Sequence, residues 1–408
     1  MSADVGGTSG GSRLIISARS GADLAIHSIN ILGGGIGAII AGVNILGNII
    51  VDGPTRLVKA LDVKDDHTIR LGGDATDKPV KVKLGNVQNV AFSSGAPIKK
   101  FKALDWDNTD AVADTFDAPW VKSLRVRGDM DANITLSGAG GPALTLAKVR
   151  VDGAVRGAKW AFTGDSGVVD VRGRVEGLDL SVMSSLKKLK LADVRDATVE
   201  VDDLIKTVKA KQWLKGLLSA KAIGSAKITG DAALGLAGDL GANVVLKQAA
   251  SATTRALRKL VVAGAMKDMV LNSAGHVGPI TADALSNARL YAGVSAGVVG
   301  ALGFPAAAAD FGADVSIGNI TLRNKSAADS LVDSIIAARR LGTLKLGTVK
   351  LSNAGKAFGV AADQIRTLTG SSATTGPLRF TNLDDAVQVN DAVAAGGLDL
   401  IDFDVRLV

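Results

Sequence analysis

The sequence of 408 residues contains no cysteine, and only 3% of its residues are aromatic. Without cysteine the chain has no disulfides, no thiolate metal ligands and no cysteine nucleophile. Large rings fill the irregular spaces of an ordinary compact core, and this chain has few of them. Hydrophobic residues nevertheless make up 47% of the chain, and glycine contributes 49 residues. We therefore expect an interior of stacked aliphatic layers, because a chain of this length exceeds the size of one compact core.

The apolar stretch at residues 29–53, INILGGGIGAIIAGVNILGNIIVDG, has three competing interpretations. It matches the G-x-G-x-x-A pattern of a dinucleotide-binding turn, but Gly42 and Gly47 would interrupt the helix that must follow, at about 1 kcal/mol each. A membrane span is also long enough, because residues 29–51 carry no charge, yet this run contains three Asn and six Gly and lacks flanking aromatic residues. Short apolar pieces bounded by Gly or Asn are typical of β-strands. We predict successive strands of a stacked sheet.

The same alternation of apolar and polar residues, ended by Gly, Asp or Ala, returns along the whole chain. Clear copies lie at 123–130, 147–155, 168–175, 186–194, 205–213, 223–231, 257–266, 315–324 and 341–349. A recurrence of about 18 to 24 residues is typical of a solenoid whose coils bury their apolar sides against one another. The sequence therefore predicts an all-β fold, a right-handed parallel β-helix with few short helices in excursions.

The predicted organisation has three parts. They are a disordered, linker-like N-terminal segment at 1–12, the parallel β-helix at 13–375, and closing coils or a cap at 376–408. Residue propensities favour helices at 249–260 and 326–342, and the Pro/Ala-rich residues 303–314 predict a loop excursion.

Candidate catalytic residues are limited to carboxylates, because the three histidines are far apart and lack partners. Five aspartates lie near predicted corners: Asp129, Asp131, Asp152, Asp170 and Asp231. Two of them on adjacent coils would suit a polysaccharide-degrading enzyme. Aspartate beside glycine is also common turn chemistry, which is the interpretation that we favour. Calcium at these corners is a further alternative, although the G-G-x-G-x-D repeat is missing. We predict no catalytic residue, no metal site and no cofactor.

Basic residues recur at matching positions of the repeats, in a chain of net charge +7. They are Arg125, Lys148, Arg172, Lys190, Lys209 and Lys227. Such a stripe could bind cell-surface glycans or other anionic polymers through charge spacing. The alternative is a solvated face whose lysines keep strand edges from pairing with other chains. Sequence-specific nucleic acid binding is not expected, since aromatic stacking platforms are scarce, and we predict no membrane span.

Several segments resemble repeat units of very large extracellular proteins of planctomycete-type bacteria. They are residues 97–138, 205–246, 278–294 and 346–370, and the resemblance covers about 55–375. It implies a β-solenoid that is extracellular or on the cell surface, without an established activity. The predicted function is a non-catalytic stalk, spacer or adhesive scaffold. The alternatives are the polysaccharide-degrading enzyme with paired aspartates and a polyanion- or glycan-binding module that uses the basic stripe.

Overall fold

A computed structural model describes residues 2–17, 25–64, 66–141, 143–249, 254–325, 329–397 and 399–408. It contains 57% strand and 5% helix, and its strands form a parallel β-solenoid of about 15 turns. The predicted all-β solenoid is confirmed. The chain divides into two compact units, unit 1 at Met1–Val201 and unit 2 at Asp202–Val408.

Unit 1 is built from short strands that follow one another around each coil. Their bounds are β1 (Ser2–Gly6), β2 (Arg13–Ile16), β3 (Ala25–Ile26), β4 (Ser28–Leu32), β5 (Ile36–Ala41), β6 (Asn44–Ile45), β7 (Ile49–Val51), β8 (Thr55–Lys59), β9 (His67–Leu71), β10 (Val80–Lys83), β11 (Val87–Gln88), β12 (Val90–Ser94), β13 (Ile98–Ala103), β14 (Trp106–Asp107), β15 (Thr115–Ala118), β16 (Leu124–Val126), β17 (Asn133–Leu136), β18 (Leu146–Val151), β19 (Val155–Arg156), β20 (Lys159–Phe162), β21 (Ser166–Val171) and β22 (Arg174–Val182). The long strand β23 (Leu186–Trp213) continues from unit 1 into unit 2.

Unit 2 has the same kind of strands, with a few helical turns in its connections. Its strands are β24 (Gly216–Ile228), β25 (Asn243–Leu246), β26 (Arg255–Leu257), β27 (Leu260–Val262), β28 (Met266–Ser273), β29 (His276–Val277), β30 (Ile280–Ala282), β31 (Leu285–Ala292), β32 (Ser316–Ile317), β33 (Ile320–Leu322), β34 (Leu331–Val332), β35 (Ile335–Ala338), β36 (Arg340–Thr348), β37 (Phe358–Ala362), β38 (Gln364–Ser372), β39 (Gly376–Leu383) and β40 (Phe403–Leu407). The helical elements are α1 (Ala296–Gly300), α2 (Ala386–Gly396) and 3-10 turns at Ala232–Leu234 and Ala308–Asp310.

Each coil of unit 1 has three sides, and each strand pairs in parallel with the strand one coil away. Side A consists of β1, β4, β7, β9, β12, β15, β17 and β20. Side B consists of β2, β5, β8, β10, β13, β16, β18 and β21. The short side C includes β3, β6, β11, β14 and β19. Both β22 and β23 turn corners and pair on more than one side.

The interior is a set of stacks in which equivalent side chains of successive coils lie one above the other. On side B one such stack is Ile39, Val58, Val82, Phe101, Leu124, Val149, Val169 and Leu189, all buried. Burial of one such side chain stabilises the fold by roughly 1.5–3 kcal/mol. The alternate residues of the same strands must then face outward, because strand side chains alternate between the two faces.

Residues 29–53 form one full coil and the first strand of the next, as the third interpretation of the sequence predicts. They comprise most of β4, then β5, β6 and β7, and their apolar residues alternate between the interior and the surface. Gly47 is buried at a corner where a Cβ atom would lie only 1.1 Å from the backbone oxygen of His27. Glycine is therefore required here by the close approach of the preceding coil.

Unit 2 follows the same rule up to its last strands. β25 and β28 begin a parallel row that continues through β31, β35, β37 and β40. The segment predicted to close the solenoid, 376–408, contains β39, α2 and β40. β39 pairs with β38 in the antiparallel sense, and β40 returns to pair in parallel with β37.

Three local predictions differ from the structure. The helix expected at 249–260 is wrong within 254–260, where β26 and β27 lie, and residues 250–253 are outside the described residues. The helix expected at 326–342 is wrong from residue 329 onward, because β34, β35 and β36 pair with neighbouring coils. Ladder pairing overrides helix propensity at both places. The segment 1–12, expected to be disordered, contains β1, which pairs with β4.

Four of the seven aromatic residues of unit 1 form one buried cluster beside a buried carboxylate. Phe92, Phe101, Trp106 and Phe116 pack with ring centroids 4.9–6.2 Å apart. The indole Nε1 of Trp106 donates a hydrogen bond of 2.9 Å to Asp114, which is only 3% exposed. Burial raises the pKa of Asp114 to about 6, although hydrogen bonds from the backbone and from Trp106 oppose this shift.

We expect the Gly47→Ala variant to lose at least about 3 kcal/mol of unfolding free energy, because the new methyl group displaces backbone rather than a flexible side chain. Gly42→Ala is the matched control in the same coil, since its Cβ would meet only the backbone oxygen of Ile16 at 3.7 Å. Urea denaturation followed by circular dichroism measures both variants. Equal stability of the two variants would contradict the packing of this corner.

A second prediction concerns the pH dependence of stability. The folded state holds the Asp114 proton more tightly than the unfolded state, whose pKa is near 3.8. The stabilising contribution of this proton is thus complete below about pH 4 and is lost as the pH rises through about 6. The stability of the wild type minus that of Asp114→Asn should therefore fall by up to roughly 3 kcal/mol between pH 4 and 8. Denaturation curves at several pH values test this, and a constant difference would refute it.

Candidate functional site

A row of five cations runs along the outer surface of side B in unit 1. Lys59 pairs in register with Lys83, Lys83 with Lys102, Lys102 with Arg125, and Arg125 with Arg150. These residues alternate with the buried stack of side B, so their side chains point away from the interior. Neighbouring strands lie about 4.8 Å apart, which sets the step between successive charges. We call these five residues the basic row.

Further cations surround the basic row on the same side. Lys81 and Lys100 pair with each other, two residues before Lys83 and Lys102 on the same two strands. Others lie in or next to the same strands: Arg56, Lys78, Lys99, Lys122, Arg127 and Lys148. The sequence has no acidic residue from 78 to 104. The basic row and these eight residues together form the basic face.

Only some members of the basic row form ion pairs with acidic residues. Within the part of the chain that the structure describes, no ion pair within 4.0 Å involves Lys59, Lys83 or Lys102. Arg125 and Arg150 share Asp152, at 2.7 and 2.6 Å. The first three rungs therefore present uncompensated positive charge to the solvent.

The concentration of charge is large enough to perturb the titration of one lysine. The pKa of Lys102 is lowered mainly by the neighbouring charge of Lys100, then by partial desolvation and by the charges of Arg127 and Arg125. Each of these cations makes it harder to add another positive charge. Lys102 thus reports a strongly positive local potential on the basic face.

The structure separates the six basic residues that the sequence singles out as a stripe. Arg125 lies in the basic row, whereas Lys148 is opposite Val168 in a different row. Arg172 lies 3.6 Å from both Asp152 and Asp170. Lys190 pairs in register with Asp170, whose carboxylate lies 3.9 Å away.

The remaining two predicted residues, Lys209 and Lys227, belong to unit 2. Lys227 lies opposite Val261, and the positions that follow in its row are Thr281, Thr321, Lys345 and Thr369. Cations therefore do not succeed one another in this row of unit 2. The six residues do not form one row, because coils differ in length and constant sequence intervals lose the register.

Sequence reasoning missed four members of the basic row: Lys59, Lys83, Lys102 and Arg150. The signal was present in VKVK at 80–83 and KKFKA at 99–103, where lysine alternates with apolar residues. The step from Arg125 to its true partner Arg150 is 25 residues, and an extra residue between Ile98 and Lys100 shifts the register once more.

The corner aspartates bind the coils to one another. Asp129 accepts a hydrogen bond of 2.7 Å from the backbone N–H of Ala154 and forms an ion pair with Arg156 at 2.7 Å. Asp131 accepts the backbone N–H of Arg156. In unit 2, Asp231 caps the 3-10 turn at its N-terminus and contacts Lys211. Asp231 therefore caps its own turn, as the turn interpretation predicts. Asp129 and Asp131 instead accept backbone hydrogen bonds from the next coil, which the sequence did not predict.

Two carboxylates at these corners have altered acidity. Burial is the main cause that raises the pKa of Asp107 and of Asp131, and the negative charges of neighbouring aspartates add to it. Within the described residues, no group of three or more His, Asp or Glu side chains is arranged to hold a metal ion.

Three of the four tryptophans offer little surface for stacking on a sugar ring, and Trp120 is half-buried. Trp106, Trp160 and Trp213 are buried, with exposed fractions of 0%, 1% and 0%. None of the described helices is both long enough and apolar enough to span a membrane.

The fold and surface define a parallel β-solenoid with a basic face on unit 1. No protein-family model, curated protein or solved structure matches the chain.

The electrostatics of the basic face can be tested on Lys102 itself. We expect Lys100→Gln to raise the pKa of Lys102, since Lys100 is the largest cause of its depression. Lys122→Gln removes a nearby cation that does not contribute to this shift and serves as the matched control. Titration of the lysine side-chain carbon signals by NMR measures both. A Lys102 pKa that responds equally to the two changes would contradict the described geometry.

Proposed function

We propose that this chain is a non-catalytic β-solenoid segment of a bacterial surface or secreted protein, and that it binds an extended anionic polymer along the basic face of unit 1. The observation behind the proposal is the basic row, in which cations occupy five successive rungs in register. Like charges directly opposite each other on neighbouring strands destabilise a sheet. A bound polyanion would relieve this repulsion along the whole row.

The confinement of the cations to one side supports binding rather than general solubility. The equivalent outward row on side A reads Asn30, Ile50, Arg70, Ser93, Asp117 and Thr135. It contains one cation, which forms an ion pair with Asp52 at 2.9 Å. Lysines that served only to keep the protein soluble would have no reason to collect on side B.

The state of the corner carboxylates supports the non-catalytic part of the proposal. Asp129, Asp131 and Asp152 are each held by arginine side chains. A general acid or base must be free to reach the substrate proton. Glycans of a cell surface are the polymers that such a protein would meet, and the resemblance to extracellular repeat proteins agrees with that location.

The proposal is tested with Lys83→Glu/Lys102→Glu, which reverses two central charges of the basic row. Heparin and polygalacturonate are suitable anionic probes, with dextran as the neutral polymer. We expect affinity for both polyanions to fall at least about tenfold at low salt, and the difference to shrink as salt screens the charges. Lys247→Glu/Lys356→Glu is the matched control, because it makes the same charge change at exposed sites of unit 2.

An equal loss of affinity in the control and the row variant would show that net charge alone governs binding, and would overturn the proposal. The length of each polymer after prolonged incubation is the second readout. Shortened chains would contradict the non-catalytic function and favour the alternative of a polysaccharide-degrading enzyme.

A further inference from the structure

The basic face contains a groove of about 660 Å³ at one end. It is lined by outward residues of β2, β5, β8, β10 and β13 and by the turns beside them. Its volume lies within the range of small-ligand clefts, about 300–1,000 Å³. None of the five members of the basic row lines this groove, so it can be tested separately from the row.

Five cations line the groove, and no carboxylate does. The cations are Arg13, Arg56, Lys78, Lys81 and Lys99, all exposed. Among the described residues, none of them has an acidic partner within 4.0 Å. Their charges therefore repel one another across a small volume, and a ligand with several negative charges would be strongly attracted.

Part of the groove is lined by residues with little or no side chain, namely Gly10, Gly11, Gly37 and Ala38. A Cβ atom on Gly37 would lie 2.7 Å from the backbone oxygen of Gly10, whereas one on Gly10 would meet no atom within 4 Å. The space over Gly10 is therefore open to solvent and accessible to a ligand.

The chemistry of the lining indicates the type of anion. The groove has no aromatic residue for stacking on a sugar or base, and three of its five cations are lysines. Lysine binds as a point charge with rotatable donors and requires no planar partner, so the charge density of the ligand matters more here than the shape of each anionic group. A uronate chain supplies one carboxylate per sugar, so it carries fewer negative charges per unit length than a highly sulfated glycan or a phosphate chain.

We infer that this groove binds a short oligomer that carries clustered sulfate or phosphate groups. The inference rests on the proposed function, since it makes the groove the subsite for the most densely charged part of a polyanion. Sulfated glycans and linear phosphate chains share this chemistry, and the experiment below distinguishes them.

The probes are a fully sulfated heparin tetrasaccharide, tripolyphosphate and tetragalacturonate, each titrated calorimetrically into the full chain. We expect the two densely charged probes to bind and tetragalacturonate to bind at least about tenfold more weakly. Tighter binding of the tetrasaccharide would assign the groove to sulfated glycans, and tighter binding of tripolyphosphate would assign it to phosphate chains. Comparable affinity for tetragalacturonate would overturn the inference.

Two kinds of variant separate charge from shape. Lys78→Gln/Lys99→Gln removes two lining charges and should weaken the preferred probe at least about tenfold. Gly10→Trp fills the groove without changing its charge and should weaken the same probe. Gly6→Trp is the matched control, because a Cβ atom at Gly6 also meets no atom within 4 Å and Gly6 does not line the groove. Circular dichroism verifies that each variant is folded.

Undiminished binding to folded Gly10→Trp would refute the groove as the site. The variant Lys83→Glu/Lys102→Glu keeps the two hypotheses apart. This variant could lose affinity for long heparin while the groove substitutions leave the binding of the short probes unchanged. That result would refute the groove and leave the proposed function intact. If neither set of substitutions weakens any polyanion more than the Gly6→Trp or Lys247→Glu/Lys356→Glu controls, both hypotheses fail.

Discussion

The register between successive coils is the constraint on which the other features of this protein depend. Parallel backbone hydrogen bonds place each residue above its equivalent one coil away, so one choice of inward side chain is repeated through a whole stack. The buried stack that includes Val58 and Val82 requires the outward positions beside it to form an equally regular row. The corners maintain this register. Asp129 reaches the backbone of the next coil at Ala154, and Asn133 does the same at Lys159.

The same register also brings like charges together in the basic row, and their repulsion destabilises the fold. Three lysines in register, without acidic partners among the described residues, repel one another at a separation that the backbone fixes. Later rungs show the ordinary solution, in which Asp152 lies between Arg125 and Arg150 and Asp170 follows them in the row. Unit 1 thus contains both compensated and uncompensated rungs on one side. Under the proposed function, a bound polyanion would supply the negative charge that the uncompensated rungs lack.

Much of the fold could be predicted from sequence, since alternation and glycine spacing report directly on strands and corners. Residues 29–53 show this, because they lack a polar outer face and because glycine and β-branched residues there disfavour a helix. Helices were wrongly expected around Arg255–Leu257 and Ile335–Ala338, where residue propensity ignores the adjacent coil that each strand pairs with. The sequence predicted that a basic stripe exists, but it did not identify most of its residues. The members of the row depend on the register between coils, and the extra residue at Lys99 cannot be recognised from the sequence intervals alone.

A solenoid is well suited to polymer binding because its charges are arranged in advance. The backbone fixes the spacing of the basic row before any ligand arrives, so binding need not order the chain. Each uncompensated rung would then add a similar increment of electrostatic attraction, and the affinity for a polymer would grow with the number of such rungs that it covers. Compensated rungs near Asp152 would add less, which would limit tight contact to the coils of Lys59, Lys83 and Lys102. The groove that Lys81 lines would then hold the most densely charged segment of the polymer beside those same coils.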